Sequence, residues 1–160
     1  RGLGDVYKRQ GVYLPKDQEH VDNHTTMDHT VPNCTSSELY KGILYDRSTG
    51  VFNGKVFVRQ EAQHTNAYQQ NANIVADQGA SINAKPELEI YADDVKCSHG
   101  CTVGQFDDEA MFYLKSRGIG DRAARALMVQ AFIGDALAGM GSEEVAAEVE
   151  TLLSERHGWM

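Results

Sequence analysis

Between Gly11 and Gly104 the apolar positions come in short runs, each closed by Gly, Asn, Asp or Pro: GVYLP, GILYD, VFNGKVFVRQ, ANIVAD, ASINAK, ELEIYADD and VKCSHGCTVG. Several of these alternate. Val56 and Val58 share a parity. Leu88 and Ile90 do too, with Glu87 and Glu89 on the opposite one, and Val95, Cys97 and His99 form a third set. A strand sends successive side chains to opposite faces, so each set predicts a strand with one buried side. Gly100 sits where the last strand could bend, which leaves the direction of His99 open. Helix-period stripes are missing from this region. The rhythm of short strands and turns fits a sandwich or a solenoid, and no strict sequence repeat decides between them. Asn53, Asn66, Asn71, Asn73 and Asn83 suit coil corners or stacked ladders better than hairpins, which leans toward a β-helix.

After Gln105 the period changes. In DDEAMFYLKSRGI, Asp107 or Asp108 is placed to cap a helix, and acids in its first turn complement the helix dipole. Met111, Tyr113 and Leu114 make the expected apolar stripe, and Gly118 is a good residue just past the end. A second helix is expected from Asp121, with Ala123, Leu127, Ala131 and Ile133 to Leu137 on its apolar side and Gly139 and Gly141 after it. A third comes after Ser142, with Val145, Val149, Leu152 and Leu153 on its face. The sequence therefore divides into three parts. Residues 1–10 are a leader that does not match the rest of the chain and reads as non-native. Residues 11–105 are a β core, and residues 106–160 a helical domain.

Charge narrows the partners. The 160 residues carry a formal net charge of −8, and from Asp107 onward ten acids face five bases, a net of −5. Binding a polyanion needs a concentrated cationic face, so nucleic acid and anionic membrane surfaces are disfavoured. No apolar run reaches the length of a bilayer span. The three cysteines, Cys34, Cys97 and Cys101, are odd in number and include no CxxC pair, which reads as reduced thiols in the cytoplasm.

The densest chemistry lies in KCSHGC, where Cys97, His99 and Cys101 occupy alternate positions. Same-face neighbours on a strand stand about 6.5–7 Å apart, whereas metal ligands lie about 2.0–2.3 Å from the ion. Two such residues can just share an ion if the strand bends; three in a row cannot close a site. A buried thiol beside a hydrogen-bonded histidine fits the same spacing. His24, His29 and Cys34 are spaced by five, which matches no single face and reads as a polar β-coil surface. Asp93 and Asp94 read as a turn, and FNGK lacks the glycine-rich cradle of a phosphate loop.

Longer stretches say more than spacing does. ELYKGILYDRSTGVFNGKVFV, QNANIVADQGASINAKPELEIYADDVKCSHGCTVGQFDDEAMFYLKSRGI and AARALMVQAFIGDAL resemble the C-terminal part of the SufB/SufD family of iron–sulfur cluster assembly, on its SufD side, over residues 12 to 140. The resemblance implies a right-handed parallel β-helix and, after it, a small helical domain. It implies a non-catalytic scaffold that pairs with SufB through the β-helix and carries the ATPase SufC on its C-terminal helices. A nascent iron–sulfur cluster would form between the two β-helices, with His99 as the interface histidine and a SufB cysteine opposite it; Cys97 is a secondary candidate. By the same resemblance Asn71 stands where SufB has that cysteine, which separates the chain from SufB. The SufC surface is expected at Phe112, Tyr113, Arg117, Gly118 and Ile119, and flavin belongs only to the whole complex. The long N-terminal portion of such proteins is absent, so the chain is expected to be a fragment that opens on an exposed rung. The implied location is cytoplasm, or plastid stroma in a photosynthetic eukaryote. Two other readings remain: a secreted β-helix enzyme acting on acidic polysaccharides, which needs clustered carboxylates, and a homodimer built on the same β-helix surface.

Overall fold

The computed structural model describes residues 6–158. Arg1–Asp5 of the expected leader lie outside them. Val6–Gln10 form the start of a strand paired in register with Thr35–Leu39.

Seven strands come in succession: β1 Val6–Tyr13, β2 His20–His29, β3 Thr35–Leu44, β4 Thr49–Val58, β5 Asn66–Val75, β6 Ser81–Ile90 and β7 Lys96–Gly104. They sort into two sheets, in the orders β1-β3-β5-β7 and β2-β4-β6. Every pairing is parallel. Val6 lies beside Thr35, Thr35 beside Asn66 and Asn66 beside Lys96, so successive turns take 29, 31 and 30 residues. This is a parallel β-solenoid of about three turns, as the resemblance implied and the asparagine content leaned toward; the strand rhythm alone fits a sandwich as well. Three helices come after it.

The alternation read from sequence is the coil's inside–outside pattern in β4, but it fails at the end of β6, where Ile90 is exposed and Glu87 and Glu89 are half-buried. Along β4, Gly50, Phe52, Gly54, Val56 and Val58 are buried and the residues between them are half-buried. Met27, Val56, Val58, Ala62, Ala67 and Ala92 form one apolar cluster, with Leu88, Val95 and Cys97 packed on it. The other sheet contributes a polar interior. Ser36, Glu38, Gln69, Asn71 and Asn73 are all buried. Gln69 Nε2 donates to Glu38 Oε2 at 2.6 Å. Tyr13 Oη donates to Asn73 Oδ1 at 2.5 Å, and Asn71 Nδ2 donates back to Tyr13 Oη at 3.2 Å. Burial pushes the Tyr13 phenol up to about 12, against the pull of Asn71. Tyr13 lies over Gly42, its neighbour in register on β3; a Cβ there would strike the ring.

The corners hide the repeat. Asp17, Asp46, Asn33 and His64 all have φ between 55° and 62°. Asp46 comes 29 residues after Asp17, and His64 comes 31 after Asn33, so each pair marks one corner in successive turns. Short polar side chains tolerate this backbone region better than branched ones. The Asp17 amide donates to the Asp46 carboxylate and the Asp46 amide to Asp77, each at 2.8 Å.

One expectation fails here. His29 and Cys34 are buried, each about 2% exposed, while His24 stays exposed. His24 and His29 lie in one strand, where a spacing of five sends them to opposite faces, and Cys34 lies past a corner, where parity is lost. His29 ends β2 on the inward parity, and its Nε2 lies 2.9 Å from Ser36 Oγ. Cys34 Sγ donates to the Val31 carbonyl.

The chain separates into two compact units, residues 1–104 and 105–160. In the second, α1 spans Asp108–Ser116, α2 Asp121–Ala138 and α3 Glu143–His157. Asp107 caps α1 by accepting from the Glu109 and Ala110 amides, and Ser142 caps α3. The apolar faces differ from those expected. Tyr113, Ala123, Leu127, Ala131, Val145 and Leu152 are exposed. α2 buries Ala124, Ala126, Val129, Ile133, Ala136 and Leu137. Helices this rich in alanine carry apolar residues on more than one side, and the widest stripe is not the buried one.

The interior generates two predictions. Gly42→Ala should push Tyr13 off Asn71 and Asn73 and lower stability by about 1–3 kcal/mol, the usual cost of overpacking; urea unfolding measures it, and an unchanged midpoint would remove Tyr13 from the network. His29 gives a pH effect. Burial, opposed by Asp28, holds its imidazole below the ordinary value near 6.5. The ring is neutral when folded and gains a proton more readily when unfolded. Stability is thus full above about pH 6.5 and declines as pH falls toward the folded pKa. His29→Gln should flatten the unfolding midpoint between about pH 7 and 5.

Candidate functional site

At the end of the solenoid the reactive side chains gather on one strand. β7 pairs with β5 along one edge, and no described strand pairs with its other edge. In register, Ala67 lies beside Cys97, Gln69 beside His99, Asn71 beside Cys101 and Asn73 beside Val103. The four β5 residues are all buried. Their β7 neighbours share the inward parity, but no further described turn covers them. His99, Cys101 and Val103 are exposed, Val103 by 55%. Gly100 does not redirect the strand, which stays paired from Lys96 to Gly104.

The two thiols differ in surroundings. Cys97 is half-buried against the apolar cluster. Burial pushes its thiol up, opposed by a backbone hydrogen bond at Ala67. Cys101 is exposed, and its Sγ donates to Asn71 Oδ1 at 3.8 Å. Burial on its inner side pushes this thiol up as well. Asn71 is itself fixed: its Nδ2 donates to Tyr13 Oη and the Tyr40 carbonyl, and its Oδ1 also accepts from Asn73 at 2.6 Å. Behind His99, Gln69 Oε1 and Glu38 Oε1 are buried with no hydrogen-bond partner.

Sequence reasoning passed over Glu38, Gln69 and Tyr13. Glu38 carried no clear signal: it shares parity with Leu44, but the equally apolar Ile43 has the opposite parity and is buried as well. Among the described residues no group of three or more His, Cys, Asp and Glu side chains is placed to hold a metal ion. Asp93 and Asp94 lie in the corner between β6 and β7, as expected.

The helical candidates cluster on α1 and the turn after it. Phe112 is 74% exposed and Tyr113 56%. Arg117 caps the helix and stacks its guanidinium 5.1 Å from the Tyr113 ring centre. Gly118 takes φ 86°, and the half-buried Ile119 donates its amide to the Leu114 carbonyl. No helix among the described residues is long and apolar enough to cross a membrane.

Comparison with known proteins bears on these surfaces. Residues 2–132 match the SUF system FeS cluster assembly, SufBD core domain. The iron-sulfur cluster assembly protein SufD of Escherichia coli is 39% identical over 155 residues, which is 97% of this chain and 37% of the relative. A SufBD family protein of Synechocystis, slr0076, is 47% identical over 116 residues, 72% of this chain and 26% of the relative. The chloroplastic protein ABCI7 of Arabidopsis thaliana is 33% identical over 129 residues, 80% of this chain and 27% of the relative. The chain thus spans well under half the length of these relatives. It belongs to the SufBD family of the SUF iron–sulfur cluster assembly system.

Proposed function

We propose that the chain is the β-helix end and helical tail of a SufD-type scaffold, which meets SufB at β7 and the ATPase SufC at α1. The observation that carries the reading is His99: it keeps the inward parity of the coil yet stands exposed on the last turn. An imidazole there offers a nitrogen lone pair to iron without first being dragged out of a core. Among the described residues no strand pairs with the second edge of β7, and such an edge, with backbone donors and acceptors in line, is the ordinary means by which one sheet accepts a strand from another chain. The nascent cluster is the cargo. His99 holds it from this side, and a SufB thiolate completes the coordination; imidazole and thiolate are both good iron ligands.

Asn71 favours the SufD side of the family. It stands where the resemblance puts the SufB cysteine, and it is buried with both its amide atoms engaged. An amide locked in this way neither replaces a thiolate nor reaches a partner. The three free thiols fit a reducing cytoplasm or plastid stroma.

The SufC surface is inferred from Phe112 and Tyr113, large rings left outside a helical unit of net charge −5. Large aromatic groups with an arginine beside them are the residue types that carry binding energy at interfaces. ATP-dependent changes in SufC would act through this contact by binding two arrangements of the scaffold unequally. The scaffold itself performs no bond-making step in this reading.

Co-expression with SufB and SufC and anaerobic purification tests the cluster role. His99→Ala should lower cluster absorbance by about 10-fold, since losing a ligand costs at least as much as losing its support. A normal yield with the complex intact refutes the role of His99. Phe112→Ala should weaken SufC binding by about 30-fold, the loss of one strong interface anchor of about 2 kcal/mol. Unchanged binding moves the SufC contact off α1. Sedimentation of the chain without SufB separates the homodimer reading, because a stable dimer through β7 would exclude SufB from that edge.

A further inference from the structure

KCSHGC contains a thiol on either side of the histidine, and the structure treats the two unequally. Cys97 belongs to the interior. It packs on the apolar cluster beside Ala67 and Val95, where a metal would have to displace core side chains. Cys101 belongs to the open turn. It is exposed, it shares the parity of His99, and it lies two residues away on the same uncovered face. Its sulfur is also oriented, because Sγ donates to an Asn71 side chain that Tyr13, Tyr40 and Asn73 hold in place.

A second observation points to a ligand at this face. Gln69 is fully buried, and its Nε2 is committed to Glu38. Its Oε1 has no partner, and its neighbour in register on the open side is His99. A ligating imidazole donates its second ring N–H to an oxygen acceptor, which fixes the tautomer. Gln69 Oε1 is the acceptor that such a histidine lacks here.

We propose that His99 and Cys101 together form a nitrogen–sulfur donor pair for iron on this chain, with Gln69 Oε1 orienting the imidazole. This rests on the reading of His99 above and adds a thiolate from the same polypeptide. The two residues start about 6.5–7 Å apart, and ligands on one ion stand roughly 3.5 Å apart. The imidazole and the thiol close that gap by leaning toward each other on the uncovered face they share. The thiol proton passes to solvent as the sulfur–metal bond forms. No electron is transferred, and the remaining positions on the ion stay open for a partner.

Anaerobic titration of the 160-residue chain with cobalt(II), a spectroscopic stand-in for ferrous iron, tests the pair. The wild-type chain should develop a thiolate-to-cobalt charge-transfer band. Cys101→Ser should abolish the band, while Cys97→Ser and Cys34→Ser should keep it. His99→Ala should raise the cobalt dissociation constant by about 10-fold or more, and Gln69→Met should do so by a similar factor. Exposure of His99 and Cys101 means that their variants should keep the fold, which circular dichroism checks. Should Gln69→Met not fold, long-range proton–nitrogen spectra of the cobalt-free and zinc-loaded wild-type chain decide the point, because a single fixed His99 tautomer is expected on loading. No band in the wild type, a band that survives Cys101→Ser, or a mixed tautomer overturns the proposal. The two readings fail separately: loss of the band in Cys101→Ser with normal cluster yield in His99→Ala would sink the scaffold role alone. An unaffected Cys101→Ser band beside a defective His99→Ala would sink only the pair.

Discussion

A parallel coil closes the inside of each turn only by laying another turn beside it. Every strand from β1 to β6 has at least one such neighbour, and β3, β4 and β5 have one on each side. β7 is where the operation stops. Its inward residues align with four buried neighbours on β5, yet three of the four are exposed. The exposure of His99 and Cys101 therefore needs no special local device. It is set by the number of turns. A histidine at the same register position one turn earlier would occupy the place of Gln69, sealed from any partner.

The interior behind that last turn is polar, and polarity there carries a geometric demand. Unpaired buried polar atoms cost about 1–3 kcal/mol each, so the network must be satisfied nearly throughout. Tyr13, Asn71 and Asn73 meet this by crossing turns: Tyr13 leans over Gly42 to reach residues near sixty positions away in sequence. The bonds tie the first described turn to the third. They also fix Asn71, the group on which Cys101 rests. Contacts laid down early in the chain in this sense place the acceptor that the Cys101 thiol meets at the far end.

Most of the architecture was legible because strand alternation is a direct image of the inside–outside pattern. Val56, Val58, Val95 and Cys97 all fall on the sides their parity indicated. The coil repeat was only faintly legible: one corner repeats an aspartate at Asp17, Asp46 and Asp77, but the other pairs Asn33 with His64 and shares only a backbone angle. Cys34 was misplaced because counting residues across a corner loses parity, and His29 because its odd spacing from His24 in the same strand, which sends it inward, was overlooked. The helical faces were misread because alanines populate several sides of α2, so periodicity does not choose between them, and because α3 buries only Ser154. The site was half legible. KCSHGC drew attention at once, but only the register with β5 distinguishes an open Cys101 from a packed Cys97.

Those misread helices bear on function in their own right. A helix whose strongest aromatic residues lie outside, as Phe112 and Tyr113 do, has left part of its apolar surface uncommitted to its own fold. Phe112 and Tyr113 are adjacent and diverge by about 100° around the helix, so together they present a broad apolar surface. Arg117 stacks on Tyr113 one turn later, which keeps that ring extended along the helix surface and partly shielded from water. A surface built this way is pre-formed, and a partner that binds it loses little side-chain freedom in doing so. The same logic applies to β7, whose backbone is already straight and in register before any second chain arrives. Both unfinished surfaces present their side chains outward before a partner arrives.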